Sequence, residues 1–174
     1  RELPWRETAD PYLIWVSEVI LQQTRIAQGT SYYLRFVNRF PNVQMLAEAE
    51  EEEVLKLWQG LGYYTRARNL HVAAKQIMSR FNGIFPANYS DILSLKGVGK
   101  YTAAAISSIA FHAPYAVVDG NVFRVIARLF AVEVPIDNKE GQRIISEIAQ
   151  SLIHTGQPGT YNQAIMDFGS LVCT

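Results

Sequence analysis

The chain has 174 residues, 49% of them hydrophobic, enough to fill the core of one large domain or two small ones. Sixteen Lys and Arg balance 16 Asp and Glu, so the formal charge is zero and gives none of the basic excess that usually accompanies nucleic-acid binding. A single cysteine, Cys173, excludes an internal disulfide framework and fits a reducing compartment. No apolar run reaches the roughly 18 residues needed to span a bilayer. Charges at Arg1, Glu2, Arg6 and Glu7 interrupt the N-terminus where a signal peptide would be apolar.

In chain order, Asp10-Pro11 opens a helix, with a capping carboxylate followed by Pro in the first turn. Behind it run Ile14, Val16, Val19, Ile20 and Leu21. Tyr33, Phe36, Val37 and Phe40 continue at helical spacing until Pro41. Glu48 and Glu50 through Glu53 form an acidic run that reads as a solvated helix face, and setting it aside leaves a mildly basic remainder. Val54, Leu55 and Trp58 make a third stripe ending at Gly60. Ala67, Leu70, Ala74, Ile77, Met78 and Phe81 make a fourth, closed by Asn82-Gly83. Ser90 is expected to cap a short helix through Ile92, Leu93 and Leu95. Gly97-Val98-Gly99 turns the chain into the helix of Ala105, Ile106 and Ile109. Val122, Val125, Ile126 and Leu129 follow, then Ile144, Ile145, Ile148 and Leu152, then Tyr161, Ile165, Phe168 and Val172. Only residues 115–118 could pass for a strand, too short to build a sheet. The pattern predicts an all-α fold of about nine or ten helices with no internal repeat.

Leu95-Lys96-Gly97-Val98-Gly99-Lys100 lies between two predicted helices. Two residues without a Cβ let the backbone turn tightly and come close to a ligand. The amides that open the following helix form an anion site suited to a DNA phosphate, and such a site needs backbone dipoles rather than net positive charge. A Walker A loop would need Gly where Ser94 stands and Ser or Thr where Tyr101 stands. A dinucleotide fingerprint would need a preceding strand and Gly in place of Thr102.

Cleaving an N-glycosidic bond passes through an oxocarbenium-like state. It calls for one protonated acid at the leaving group and one ionised carboxylate facing the sugar. Glu18 lies in the apolar run Trp15-Val16-Ser17-Glu18-Val19-Ile20-Leu21, where burial would favour the protonated form, or it is a rim residue. Asp119, in Val117-Val118-Asp119-Gly120-Asn121-Val122, is either that carboxylate or a helix N-cap.

These features resemble the helix-hairpin-helix DNA glycosylase superfamily: a Gly97-Val98-Gly99 hairpin followed by the Asp119 loop. Within it the chain is similar, over nearly its whole length, to the MutY-type adenine glycosylases. The stretches that carry the likeness are residues 3–6, Ser17-Glu18-Val19-Ile20-Leu21-Gln22-Gln23-Thr24, residues 60–71, Asp119-Gly120-Asn121-Val122, Tyr161-Asn162-Gln163-Ala164 and Leu171-Val172-Cys173-Thr174.

The resemblance implies a monofunctional enzyme that excises adenine mispaired with 8-oxoguanine or guanine in double-stranded DNA. Glu18 would protonate adenine N7, and Asp119 would attack or stabilise the sugar cation, with Tyr101 and Asn121 positioning or tuning it. Trp5, Arg6, Leu21, Ile26 and Gln163 would line the pocket for the flipped base, which must leave the stack to be reached. Gln23, Thr24, Leu61 and Tyr63 would surround the opposite 8-oxoguanine, Tyr63 as a wedge, while Tyr64 is expected in the core. Gly97, Gly99 and Lys100 would meet phosphate. Bifunctional relatives carry a Schiff-base Lys where this chain has Tyr101.

The fold implied is two-lobed with the active site between the lobes. Residues 11–129 would form a helical-barrel lobe holding the hairpin, and 1–10 with 130–174 the second lobe. In the family pattern Cys173 is the first of four ligands of a [4Fe–4S] cluster, the others lying beyond Thr174, so this chain is expected to be truncated and unable to complete the cluster. His71, His112 and His154 lack metal-ligand spacing and read as structural or phosphate-facing. A monomer with no membrane partner is expected, in the cytoplasm or nucleoid if the source is bacterial. The rival readings are a thymine glycosylase acting on T·G mispairs, and a non-catalytic helix-hairpin-helix DNA-binding module. Gln22-Gln23-Thr24, Gly62-Tyr63-Tyr64 and Asp119-Gly120-Asn121 favour the adenine enzymes, and the pair Glu18 and Asp119 argues against the module.

Overall fold

The computed structural model describes residues 3–135 and 138–174, so Arg1 and Glu2 of the N-terminal strip lie outside the described residues. Every described element is helical: a 3-10 turn at Pro4–Arg6, then α1 (Pro11–Leu21), α2 (Ile26–Arg39), α3 (Val43–Glu48), α4 (Glu51–Leu57), α5 (Thr65–Phe81), α6 (Tyr89–Leu93), α7 (Lys100–Phe111), α8 (Gly120–Leu129), α9 (Lys139–Leu152) and α10 (Pro158–Leu171). No described helix is long and apolar enough to cross a membrane. The chain divides into two compact units, Arg1–Ile106 and Ser107–Thr174, the division falling inside α7.

In the first unit, Asp10 caps α1 by accepting the Tyr12 amide, with Pro11 in the first turn. In that same first turn the Tyr12 hydroxyl donates to the Phe40 carbonyl at 2.6 Å and ties the start of α1 to the end of α2. Trp15, Phe36, Phe40 and Trp58 are fully buried, and Phe36 meets Phe40 and Trp58 edge-on. The acidic run is divided between elements: Glu48 ends α3, Glu50 is the N-cap of α4, and Glu51, Glu52 and Glu53 occupy its first turn. There they complement the positive end of the helix dipole while staying largely in solvent. The short helix α3 escaped the sequence reading because six residues give too few turns for periodicity to register. Asn82 closes α5 in the left-handed conformation, φ 52°.

Two expectations are corrected. Asn88, not Ser90, caps α6: its side chain accepts the Ser90 amide, which leaves Ser90 inside the first turn. Asn88 and Ser90 are both good caps, and residue type alone does not separate them. Tyr64 is not in the core but 38% exposed, at the N-cap position of α5 where the chain is still leaving a glycine turn.

In the second unit Val122, Phe123, Ile126, Ile145 and Ala149 form a buried cluster from α8 and α9, with Ile165 and Met166 of α10 packed on it. Leu129, Phe168 and Val172, expected on core-facing stripes, are exposed, because the last turns of α8 and α10 run past that cluster. Residues 115–118 form neither a helix nor a strand. Their backbone groups go to side chains instead: the Ala116 amide to Gln150 Oε1 at 3.0 Å, and the Val117 amide to Asn162 Oδ1 at 3.1 Å.

Candidate functional site

Helix α5 organises the site residues of the first unit along one face. Gln76 accepts the Lys96 amide at 2.8 Å and Arg80 donates to Ser94 at 3.0 Å, so α5 holds the segment leading into the glycine hairpin. Gly97 has φ +76°, and a Cβ there would lie 2.6 Å from the Asn69 Cβ, so both conformation and space require glycine. Gly99 is different: its φ is ordinary and nothing lies within 4 Å of where its Cβ would be. Its missing side chain leaves the entrance to α7 open. Val98 between them is buried, while Gly97, Gly99 and Lys100 are exposed. Tyr101, half-buried, stands in the first turn of α7, followed by the buried Thr102.

At its N-terminal end α5 carries Arg66, a residue to which the sequence reading gave no role. Its guanidinium donates to the carbonyls of Val19 (3.1 Å), Ile20 (3.2 Å) and Gln22, and to the carbonyl of Gly62 at 3.3 Å. The first three belong to the end of α1, where carbonyls lack intrahelical partners and a cation is favoured. Beyond them Gln22 and Gln23 form a turn closed by the Thr24 amide donating to the Leu21 carbonyl at 3.2 Å. Gln23 sits there at φ +55°, a position that normally takes glycine. Tyr63 is likewise left-handed, φ +50°, and 66% exposed. For a residue with a Cβ that conformation costs roughly 1–2 kcal/mol. Burial lowers the Arg66 pKa and the nearby Tyr63 raises it, though a guanidinium keeps its charge.

Glu18 lies one turn before Gln22 on α1. It is half-buried, within a run where Trp15, Val16, Ser17, Val19 and Ile20 are all buried. The Gln22 amide reaches Thr102 of α7 at 3.4 Å, which brings the end of α1 to the first turn after the hairpin. Trp5 is buried edge-on against Tyr33 at 5.2 Å, and Leu21 packs over Gly29 of α2. Arg6 and Ile26 are half-buried, Thr24 and Leu61 likewise, and Gln23 is exposed.

In the second unit Asp119 is indeed the N-cap of α8, its Oδ1 accepting the Val122 amide at 2.8 Å. Its other oxygen accepts from the Asn121 amide group at 2.8 Å. Both carboxyl oxygens thus act as acceptors. Asn121 in turn accepts from Arg124 at 3.0 Å, and Arg124 donates to the carbonyls of Gly169 (2.6 Å) and Cys173 (2.7 Å). The loop is therefore braced to the end of α10. Gly169 allows the approach, since a Cβ there would lie 2.8 Å from the Asn121 backbone oxygen. Asn162, 1% exposed, holds the segment before Asp119 from the other side. Besides accepting from Val117 it donates to Ser108 Oγ and the Tyr115 carbonyl, each at 2.9 Å. Asn162 stands in a stretch that carries the family resemblance, but Thr160, Gln163 and Asp167 on the same helix are polar too, so nothing in the local sequence singles it out. Gln163 beside it is half-buried.

Cys173 is half-buried, with Arg128 donating to its sulfur at 3.2 Å. It is the single cysteine of the 174 residues, and among the described residues no group of three or more His, Cys, Asp or Glu could hold a metal ion. One thiol does not fit a four-thiolate iron–sulfur cluster.

With this geometry in hand, the likeness to known proteins is specific. Residues 16–151 match the HhH-GPD superfamily of base excision DNA repair proteins. The chain is 40% identical over 173 residues to an adenine DNA glycosylase of Buchnera aphidicola subsp. Baizongia pistaciae, covering 99% of this chain and 49% of that protein. It is 42% identical over 183 residues to the adenine DNA glycosylase of Homo sapiens, covering 100% of this chain and 34% of that one. It thus spans half or less of the length of these curated relatives. Among solved structures, a thermostable thymine-DNA glycosylase superposes with a TM-score of 0.91 at 31% identity, over 100% of this chain and 80% of the other. A trapped endonuclease III–DNA covalent intermediate gives 0.82 at 22% identity, over 94% and 76%, which speaks to the fold alone.

Proposed function

Since the chain belongs to the HhH-GPD superfamily of base excision DNA repair proteins, we propose that it is the catalytic part of an adenine DNA glycosylase that hydrolyses the N-glycosidic bond of adenine mispaired with 8-oxoguanine or guanine. The observation that carries the chemistry is Asp119, a carboxylate fixed at a helix start by Val122 and Asn121. A counter-charge of this kind, already oriented before the bond breaks, stabilises a sugar cation without reorganising during the reaction.

Glu18 acts as the acid that protonates adenine N7, so the base leaves as a neutral molecule. Water adds to the cation and gives up a proton, either directly or by hydrolysing a transient ester formed by Asp119, and an abasic site remains. Monofunctional chemistry follows from Tyr101, since strand cleavage by the imine route needs an amine at the sugar. The open backbone at Gly99 and the first amides of α7 receive a DNA phosphate, with Lys100 beside them. The identity to adenine enzymes, 35–42%, against 31% to the thymine enzyme, supports adenine as the base removed.

Single-turnover excision on duplexes carrying A·8-oxoguanine, A·G, T·G and an undamaged pair tests this reading. Adenine release from the first two duplexes and none from the others is expected. Thymine release from T·G with adenine retained would transfer the chain to the thymine enzymes. Tight binding without excision on any duplex would make it a DNA-binding module.

A further inference from the structure

Gln23 and Tyr63 are far apart in sequence, and each sits in a backbone conformation that its side chain disfavours. Such conformations persist where surrounding contacts over-determine them, and here one side chain supplies contacts to both. The guanidinium of Arg66 bonds the Gln22 carbonyl, immediately before Gln23, and the Gly62 carbonyl, immediately before Tyr63. It also lies 5.6 Å from the Tyr63 ring and 5.5 Å from the buried Trp58 ring. The Trp58 indole donates to the same Gly62 carbonyl at 3.2 Å, which fixes that carbonyl from a second direction.

We propose that Arg66 is a positioning residue that locks the Gln23 turn and the Tyr63 turn into one unit for reading the base opposite the target adenine. This rests on the mispair reading above, in which Gln23 and Tyr63 face that base. A helix C-terminus alone would be satisfied by any cation. What Arg66 adds is planarity: one nitrogen serves the end of α1, the other reaches the Tyr63 turn, and the face of the same group lies near two aromatic rings. Lys could cap α1 but could not hold both turns at a fixed separation.

The test is a double-mutant cycle in this protein. The quantity read is the preference for a duplex with a non-hydrolysable adenosine analogue opposite 8-oxoguanine over a matched undamaged duplex. Arg66→Lys is expected to lower that preference about tenfold in the parent and by clearly less in a Tyr63→Ala background, where only the Gln23 turn remains to be held. Affinity for the undamaged duplex should stay within about twofold, since no phosphate contact is removed. Arg66→Gln, which keeps an amide donor for the same carbonyls, is the second variant should Arg66→Lys fold poorly. An unchanged preference, or an equal loss in both backgrounds, overturns the role assigned to Arg66 while leaving the mispair reading intact. A parent with no preference at all overturns the mispair reading itself.

Discussion

The side-chain oxygen of Asn162 accepts the Val117 amide at 3.1 Å, two residues before Asp119. This bond, with those to Ser108 and Tyr115, makes a buried amide on α10 the anchor of the segment that leads to Asp119 at the start of α8. Asn162→Ala would strand the buried Val117 N–H. An orphaned buried group costs about 1–3 kcal/mol, so urea melts should show a loss in that range. Excision should slow as well, because Asp119 loses its fixed approach. A variant that melts like the parent would show that Gln150 alone is sufficient to hold the segment.

Asp119→Asn should end excision and spare DNA binding. The side-chain oxygen of Asn can still cap Val122, and Asn is as good a cap as Asp, so α8 keeps its start. What is lost is the negative charge, and losing such an electrostatic contribution lowers rates by on the order of 10²–10³ or more. Single-turnover rates beside dissociation constants on the same duplex check this. Excision near the parent rate would remove Asp119 from the mechanism.

The helices were legible where periodicity and punctuation agreed. Asp10-Pro11 opening α1 and Asn82 closing α5 stand where the sequence reading put them. Asp119 was legible as one of two things, an N-cap or a reaction carboxylate, and its N-cap geometry is consistent with both. What local sequence did not reveal depends on partners distant along the chain. Arg66 reads as one more helix cation until its carbonyl partners 44 and 47 residues away are known. Tyr64 reads as a core residue by type, but at the N-cap position of α5 it is exposed. Residues 115–118 have strand composition, yet their amides are satisfied by Gln150 and Asn162 rather than by a neighbouring strand.

The two hairpin glycines should respond differently to alanine. At Gly97 the left-handed backbone alone costs roughly 1–2 kcal/mol, and the contact with Asn69 adds to it. Gly97→Ala should therefore lower the urea midpoint clearly. Gly99→Ala meets open space and should stay within about 0.5 kcal/mol of the parent. Its effect should fall on DNA affinity instead, where the added methyl stands in the way of a phosphate. Equal destabilisation by both would contradict the packing around the hairpin.

His71, buried on α5, has its pKa lowered first by burial and then by the charge of Lys75, against opposing contributions from the Ala49 and Ala47 carbonyls and Glu51. The folded protein holds the ring neutral, whereas the unfolded chain takes up a proton near its ordinary value of 6.5. Between the folded and unfolded pKa values the unfolded state binds more protons, so stability rises with pH there. It is complete above about 6.5 and lost as pH falls below it, with a slope of at most about 1.4 kcal/mol per pH unit. Urea melts at pH 7.5 and 5.5, for the parent and for His71→Gln, should show a steeper loss in the parent. Parallel losses would mean that His71 titrates alike in both states.

Tyr101 provides the sharpest separation between hydrolysis and strand cleavage. The imine route needs an amine to attack C1′ and then eliminate the 3′ phosphate, which a phenol cannot do. Lys100 is adjacent, but on α7 successive side chains are rotated by about 100°, so its amine faces elsewhere. The parent should therefore leave an abasic site in an intact strand and form little covalent adduct on borohydride reduction. Tyr101→Lys should place an amine where bifunctional relatives carry theirs and become trappable, and Lys100→Ala should trap no more than the parent. Strong trapping by the parent that disappears in Lys100→Ala would sink the monofunctional reading, and would mean that the first residue of α7, not the second, faces the sugar.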